Sequence, residues 1–237
     1  MKYIESKDDK KIKIAVKGSL QDQSLSTEIE GDAKTIKEFF SGIAPEFLKD
    51  GVGILSDNVK FWRWNNQVSI IKKAAKKVEE SGLPKQQIPL KVLAPIIELS
   101  SLEEEETMQE KWANMLANAA SGRVSISPNY SAILNELSPT EVSILDAIFK
   151  DASKETDYKN RKKLQFGKDK IIQAFNLTEE GADLIVCNLY RLNLLQAPAG
   201  YGVRTGDYPF ALSTIDIFEL TPLGYEFIRA CNWEENR

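Results

Sequence analysis

Apolar and polar positions alternate in pairs near the start of the chain and then shift to the three-and-four spacing of helices. In "KIKIAVKG", Ile12, Ile14 and Val16 take every second position, the period of a strand with one buried face. "LSTEIEG" repeats the alternation more weakly, so residues 1–31 are expected to form a small β-hairpin. Asp32 then stands as the cap of a short helix, "AKTIKEFFSG", which ends at Gly42. From about Ser56 to Glu80 a long helix is expected. Trp64, Val68, Ile71, Ala75 and Val78 recur at intervals of four and three as its apolar seam. Lys72, Lys73, Lys76 and Lys77 lie mostly off that seam and read as a solvated face. Gly82 and Pro84 close the helix in the usual order. "IPLKVLAPIIELS" predicts another helix, split or started by Pro95, and Met108, Trp112, Met115, Leu116 and Ala119 form the stripe of the next.

The carboxy-terminal half carries clearer start signals. Ser138 stands three residues ahead of Glu141 with Pro139 between them, a capping box with proline at the first helical position. Val142, Ile144, Leu145, Ile148 and Phe149 are the buried stripe of that helix. A charged link leads to the short helix "DKIIQAFN", and Thr178 caps a long apolar helix after it. "LLQAP" and "IDIFELT" read as strands around a Gly- and Tyr-rich connection, and Thr221-Pro222 opens a closing helix. This order resembles a winged helix. The fold class expected is therefore mainly α: a small β-hairpin over residues 1–31, a helical domain over 32–125 and a winged-helix-like domain over 126–237.

Composition narrows the chemistry. The 237 residues are 42% hydrophobic and 28% charged, enough to bury a core without disulfides or metals. A net charge of −4 does not suit general nucleic-acid binding, which depends on many cation–phosphate contacts. Cys187 and Cys231 form no CxxC pair, the amino terminus has no apolar signal-peptide core, and no run approaches the ~18 apolar residues of a span. A cytoplasmic location is expected. Histidine is absent, which removes Ser-His-Asp and Cys-His nucleophiles, histidine bases and the commonest zinc ligand sets. The "GVG" at residues 51–53 lacks the strand–loop–helix setting and the lysine of a phosphate-binding loop.

"SSLEEEETMQEKWANMLANAASGR", residues 100–123, poses the sharpest question, because four glutamates run together. Successive residues on a helix turn by about 100°, so the four do not converge on one ion. Ser101 stands three residues ahead of Glu104, so the run is expected to open a helix through a capping box, with the carboxylates in its first turn. No catalytic, cofactor-binding or metal-ligating residue is assigned, and no small-molecule substrate is evident.

"IPLKVLAPIIELSSLEEEETMQEKWANMLANAASG", residues 88–122, resembles the signature of the abortive infection alpha family. The features shared are the P-x-x-x-x-x-P-I-I-E lead-in, the S-L-E-E-E-E start and the W-A-N-M-L-A-N core, with "KVEESGLP" fitting upstream. The resemblance covers residues 35–150 well and the remainder loosely, and it offers no catalytic residues to carry over. It implies a part in bacterial antiphage defence, in which infected cells die or stop growing before phage mature.

A non-enzymatic defence component working through a protein partner or self-association is the leading expectation. Phe61, Trp62 and Arg63 are the candidate surface, because Trp62 falls roughly 200° from Trp64 and so off the seam. Packing within the fold is the preferred role for that tryptophan. A membrane-acting effector is the first alternative, resting on Phe39, Phe40, Phe47, Leu48, Phe61, Trp62 and Trp64 as a peripheral contact. Transcriptional regulation through the winged helix is the second. Specific DNA binding is disfavoured because Glu179, Glu180 and Asp183 outnumber Arg191 on the helix in the recognition position.

Overall fold

Residues 34–45, 59–198 and 216–233 are described in the computed structural model. The expected hairpin of residues 1–31, the Asp32 cap and the Gly- and Tyr-rich connection all lie outside the described residues. The chain divides into two units, Met1–Ala132 with Trp233–Arg237, and Ile133–Asn232. Described residues of both are mainly helical, and the second adds a small three-stranded antiparallel sheet.

In the first unit, residues 34–43 form α1, whose Ile36, Phe39, Phe40 and Ile43 are buried. The Phe39 and Phe40 rings meet edge-on, with centroids 5.9 Å apart. Helix α2 spans Val59–Ser81, α3 spans Leu90–Ser100 and α4 spans Glu106–Ser121. Between α2 and α3 the backbone is stitched at two points. Ile88 N donates to Ile43 O at 2.9 Å, and Gln86 N donates to Ala120 O at 2.7 Å. Gly122 ends α4 at φ 68°, a left-handed turn that glycine takes without a Cβ clash.

Three expectations need correction here. Pro95 neither splits nor starts α3, which runs unbroken from Leu90 past it. Pro95 withdraws only the hydrogen bond that would reach Lys91, an exposed residue. The α2 seam passes through Ile70 and Ala74, both fully buried, while Ala75 is only half-buried. The four lysines do not share one solvated face. Lys73 and Lys77 lean across to α4, reaching Glu106 at 3.6 Å and Glu110 at 2.5 Å. Helix α4 carries more than an apolar stripe, because Gln109, Lys111, Asn114 and Asn118 are buried along with Met108, Trp112, Met115 and Leu116.

Helix α5 spans Tyr130–Asn135, across the division between the units. The second unit then runs α6 (Pro139–Ala152), α7 (Tyr158–Arg161), β1 (Gln165–Gly167), α8 (Lys168–Phe175) and α9 (Glu179–Arg191). It closes with β2 (Leu195–Gln196), β3 (Ile217–Leu220) and α10 (Pro222–Ala230). Local chemistry starts α6, α9 and α10 where the sequence predicts. Ser138 and Glu141 form the reciprocal capping box, Thr178 Oγ accepts from Gly181 N, and Thr221 Oγ accepts from Gly224 N at 2.8 Å. The charged link holds two elements that the sequence did not announce, α7 and β1. β3 is the central strand, antiparallel to β1 with Phe166 opposite Phe218, and to β2 with Leu195 opposite Leu220. The core gathers Leu145, Ile148, Val186, Leu189, Phe218 and Phe227.

Candidate interaction surfaces

Phe61, Trp62 and Arg63 fall on the first turns of α2. The Phe61, Trp62 and Trp64 side chains lie outside the described residues, as do Phe47 and Leu48. Arg63 is half-buried and tied inward. Its Nε donates to Ser101 Oγ at 2.9 Å, and Ser101 Oγ donates in turn to Glu98 O at 2.6 Å. Beside it Asn66 Nδ2 donates to Ser101 O at 3.2 Å and Gln67 Nε2 to Ile97 O at 2.9 Å. This polar seam fixes α2 against the end of α3, so Arg63 has a structural task within the unit. Phe39 and Phe40, two members of the aromatic set considered for membrane contact, are 1% and 2% exposed and belong to the core.

The glutamate run is dispersed rather than convergent. Helix α4 starts later than expected, and its cap is Glu105, whose carboxylate accepts from Met108 N at 2.8 Å. Ser101 is not that cap. It follows the last turn of α3, and Glu103 to Glu105 form a non-helical connection. Glu103 Oε1 accepts from Glu105 N, Glu106 faces Lys73, and of the four only Glu106 stands in the first turn. Among the described residues no group of three or more His, Cys, Asp or Glu side chains is placed to hold a metal ion.

On α9 the buried face is Ala182, Val186 and Leu189, and the outer face presents Glu180, Leu184 and Arg191. Leu184 is 68% exposed. Asp183 turns inward to the buried Lys168 at 2.8 Å, and Asp216 approaches the same ammonium at 3.3 Å. The hydrogen bond that Lys168 donates to Asp183, followed by that to Asp216, holds the Lys168 ammonium above its usual pKa. Arg191 is engaged with Glu136 at 2.5 Å and with Asn188. That leaves the acidic amino-terminal end, Glu179 and Glu180, as its open charge. Cys187 is half-buried, and burial then the nearby Asp183 push its thiol up, so the thiolate is disfavoured. Burial, reinforced by Glu219, pushes the Tyr190 phenol up to about 12.

A further site in the second unit escaped the sequence. Tyr158, Arg161 and Lys162 of the charged link meet Leu220, Thr221, Pro222, Tyr225 and Glu226 around a cleft of about 100 Å³. The Arg161 guanidinium lies 3.9 Å from the centroid of Tyr225 and 5.9 Å from that of Tyr158. Tyr225 is backed by Phe149 at 5.0 Å. The residues come from α7 and its carboxy-terminal cap on one side and from the end of β3 and α10 on the other, too far apart in sequence for spacing to connect them.

A family model described as abortive infection alpha matches residues 65–231, well over half of the chain. The chain belongs to the abortive infection alpha family. The match takes in both units, α9 and the Tyr158–Tyr225 cleft. It begins after Phe61, Trp62 and Arg63, so that patch is outside what the family model recognises. The family likeness thus extends further toward the carboxy terminus than the signature over residues 88–122 conveys. Comparison with curated proteins and with solved structures gave no match. Among the described residues of this abortive infection alpha protein, no helix is long and apolar enough to cross a membrane.

Proposed function

We propose that this chain is a non-enzymatic component of abortive infection defence that works through contacts with another protein. The family match over residues 65–231 carries the biological role. The outer face of α9 supports the mode of action. Leu184, 68% exposed, stands beyond an acidic first turn, a combination that suits a protein surface and not the phosphate-lined groove of DNA.

We read the second unit as a winged-helix arrangement. Supporting this are the order α6–α7–β1–α8–α9–β2–β3, in which α7 is a single short turn, and a sheet in which β1 and β2 flank β3. In such an arrangement α9 takes the position of the recognition helix. Its charge then makes it a docking element for protein.

A phage challenge at low and high phage-to-cell ratios tests both parts. Cells carrying the gene in its native operon should give fewer plaques, with culture collapse only at the high ratio. The Leu184→Glu variant should fold and accumulate normally, because the side chain is exposed, yet protect no better than cells without the gene. Equal protection by variant and wild type would remove α9 as the working surface. No protection by wild type across a broad phage panel would remove the defence role itself.

A further inference from the structure

The Tyr158–Tyr225 cleft has the makings of a ligand site independent of α9. Its floor is an aromatic and cationic stack, in the order Phe149, Tyr225, Arg161, Tyr158. A guanidinium held by its face keeps its N–H edge available for a planar or tetrahedral anion. Arg161 uses that edge for no hydrogen bond or ion pair among the described residues, and Lys162 beside it is exposed and likewise forms no ion pair there. Lys159 and Lys163 flank them, also exposed, so four cations stand within five residues.

The nearby carboxylates do not cancel this charge. Glu226, on the cleft wall, is paired with Arg229 at 3.2 Å. Asp157 caps α7 by accepting from Asn160 N, and Glu155 accepts from Asp157 N at 2.9 Å. Each is turned to a local partner. At about 100 Å³ the cleft equals roughly three waters, room for one small anionic group and not for a large apolar ligand. Tyr158, 53% exposed, adds an open aromatic face at its rim.

A small anion pocket walled by arginine and lysine, next to an open tyrosine ring, matches one repeating chemical unit. We infer that the cleft binds the phosphate-and-base unit of a nucleotide, with the phosphate on Arg161 and Lys162 and the base stacked on Tyr158. Stacking and backbone charge together recognise nucleotides with little regard to sequence. A single carboxylate would use the cations and leave the tyrosine without a role. The same unit is presented by a free nucleotide and by a single strand of nucleic acid. This inference goes beyond the defence role and stands apart from α9, so failure of either leaves the other in place.

The test is fluorescence anisotropy of the full chain with a labelled oligothymidylate at about 50 mM salt, where phosphate contacts are little screened. AMP serves as competitor. Wild-type protein should bind the strand, and Tyr158→Ala and Lys162→Ala should each weaken binding about fivefold or more. Lys91→Ala, at an exposed position of the first unit, should leave it unchanged. Circular dichroism melting verifies that each variant is folded, as expected for exposed positions. Displacement of the strand by AMP would assign the site to free nucleotides, and persistence of the complex would assign it to strands. Absence of binding by wild type to both probes would overturn the inference. So would Tyr158→Ala binding as tightly as wild type while Lys162→Ala does not, which would mark a plain charge patch.

Discussion

Each unit contains a serine three residues ahead of a glutamate, and only one of the two serines caps a helix. Ser138 of the second unit exchanges hydrogen bonds with Glu141, and α6 begins there. Ser101 of the first unit is buried at the end of α3, where its hydroxyl accepts from Arg63 and donates to Glu98 O. The motif is the same and the outcome is set by what else competes for the hydroxyl. Where a long-range partner reaches it, the capping role passes to another residue, here Glu105. The second unit starts α6, α7, α9 and α10 by local chemistry. The first positions its helices by polar side chains that bridge from one to the next: Arg63, Asn66 and Gln67 to the end of α3, and Ser69, Lys73 and Lys77 to α4.

The strongest way to break this contrast is to attack the packing of the first unit at α4. Trp112 is 1% exposed, and its indole N–H has no hydrogen-bond partner among the described residues. Trp112→Ala should cost about 3–5 kcal/mol in urea unfolding, the usual range for emptying a large aromatic site. Trp112→Phe should cost less than about 1.5 kcal/mol, because most of the volume stays and a buried donor without an acceptor is removed. If the phenylalanine variant proved as damaging as alanine, the indole N–H would have a partner after all.

The second unit has its own polar crux at Lys168, held by Asp183 and Asp216. Lys168→Met should cost about 1–3 kcal/mol, the range for losing hydrogen bonds to charged groups. The pH dependence has a definite sign. Lys168 has its pKa raised from 10.5, and Tyr190 from 10.0 to about 12. In both cases the folded form keeps a proton that the unfolded chain has already released, so stability falls as pH climbs. The Lys168 contribution is fully present below 10.5 and is lost as pH rises through the raised folded value, while the Tyr190 loss runs from 10.0 to about 12. Urea midpoints measured from pH 9 to 11.5 should decline in the wild type and decline less steeply in Lys168→Met. Parallel slopes would remove Lys168 from the effect.

Legibility in the sequence follows the same division. Ser138–Glu141, Thr178 and Thr221-Pro222 could be read directly because each cap hydroxyl and the N–H that donates to it lie within three residues. α7 and β1 were hidden in the charged link because four and three residues are too few to display a period. The inward role of Arg63 was not readable, since its partner lies 38 positions away. The Tyr158–Tyr225 cleft was hidden for the same reason. One half comes from the charged link and the other from the end of β3 and α10. In α4 the apolar stripe was visible, but burial of Lys111, Asn114 and Asn118 depends on the surroundings of the helix, which periodicity does not report.

The smallest effect is also the most direct comparison of the two serine motifs. Ser138→Ala should cost about 1 kcal/mol, the typical loss for a helix cap with its reciprocal partner. Glu105→Ala should fall in the same range, because its carboxylate holds Met108 N at 2.8 Å. Glu104→Ala should change stability by less than about 0.5 kcal/mol, as an exposed side chain away from any cap. Under a capping box at Ser101 the ranking would reverse, with Glu104 costly and Glu105 nearly free. Urea titration of the three variants separates the two arrangements. Because Glu104 and Glu105 are neighbours with the same charge, the difference between them isolates cap geometry from the general attraction of carboxylates to a helix start.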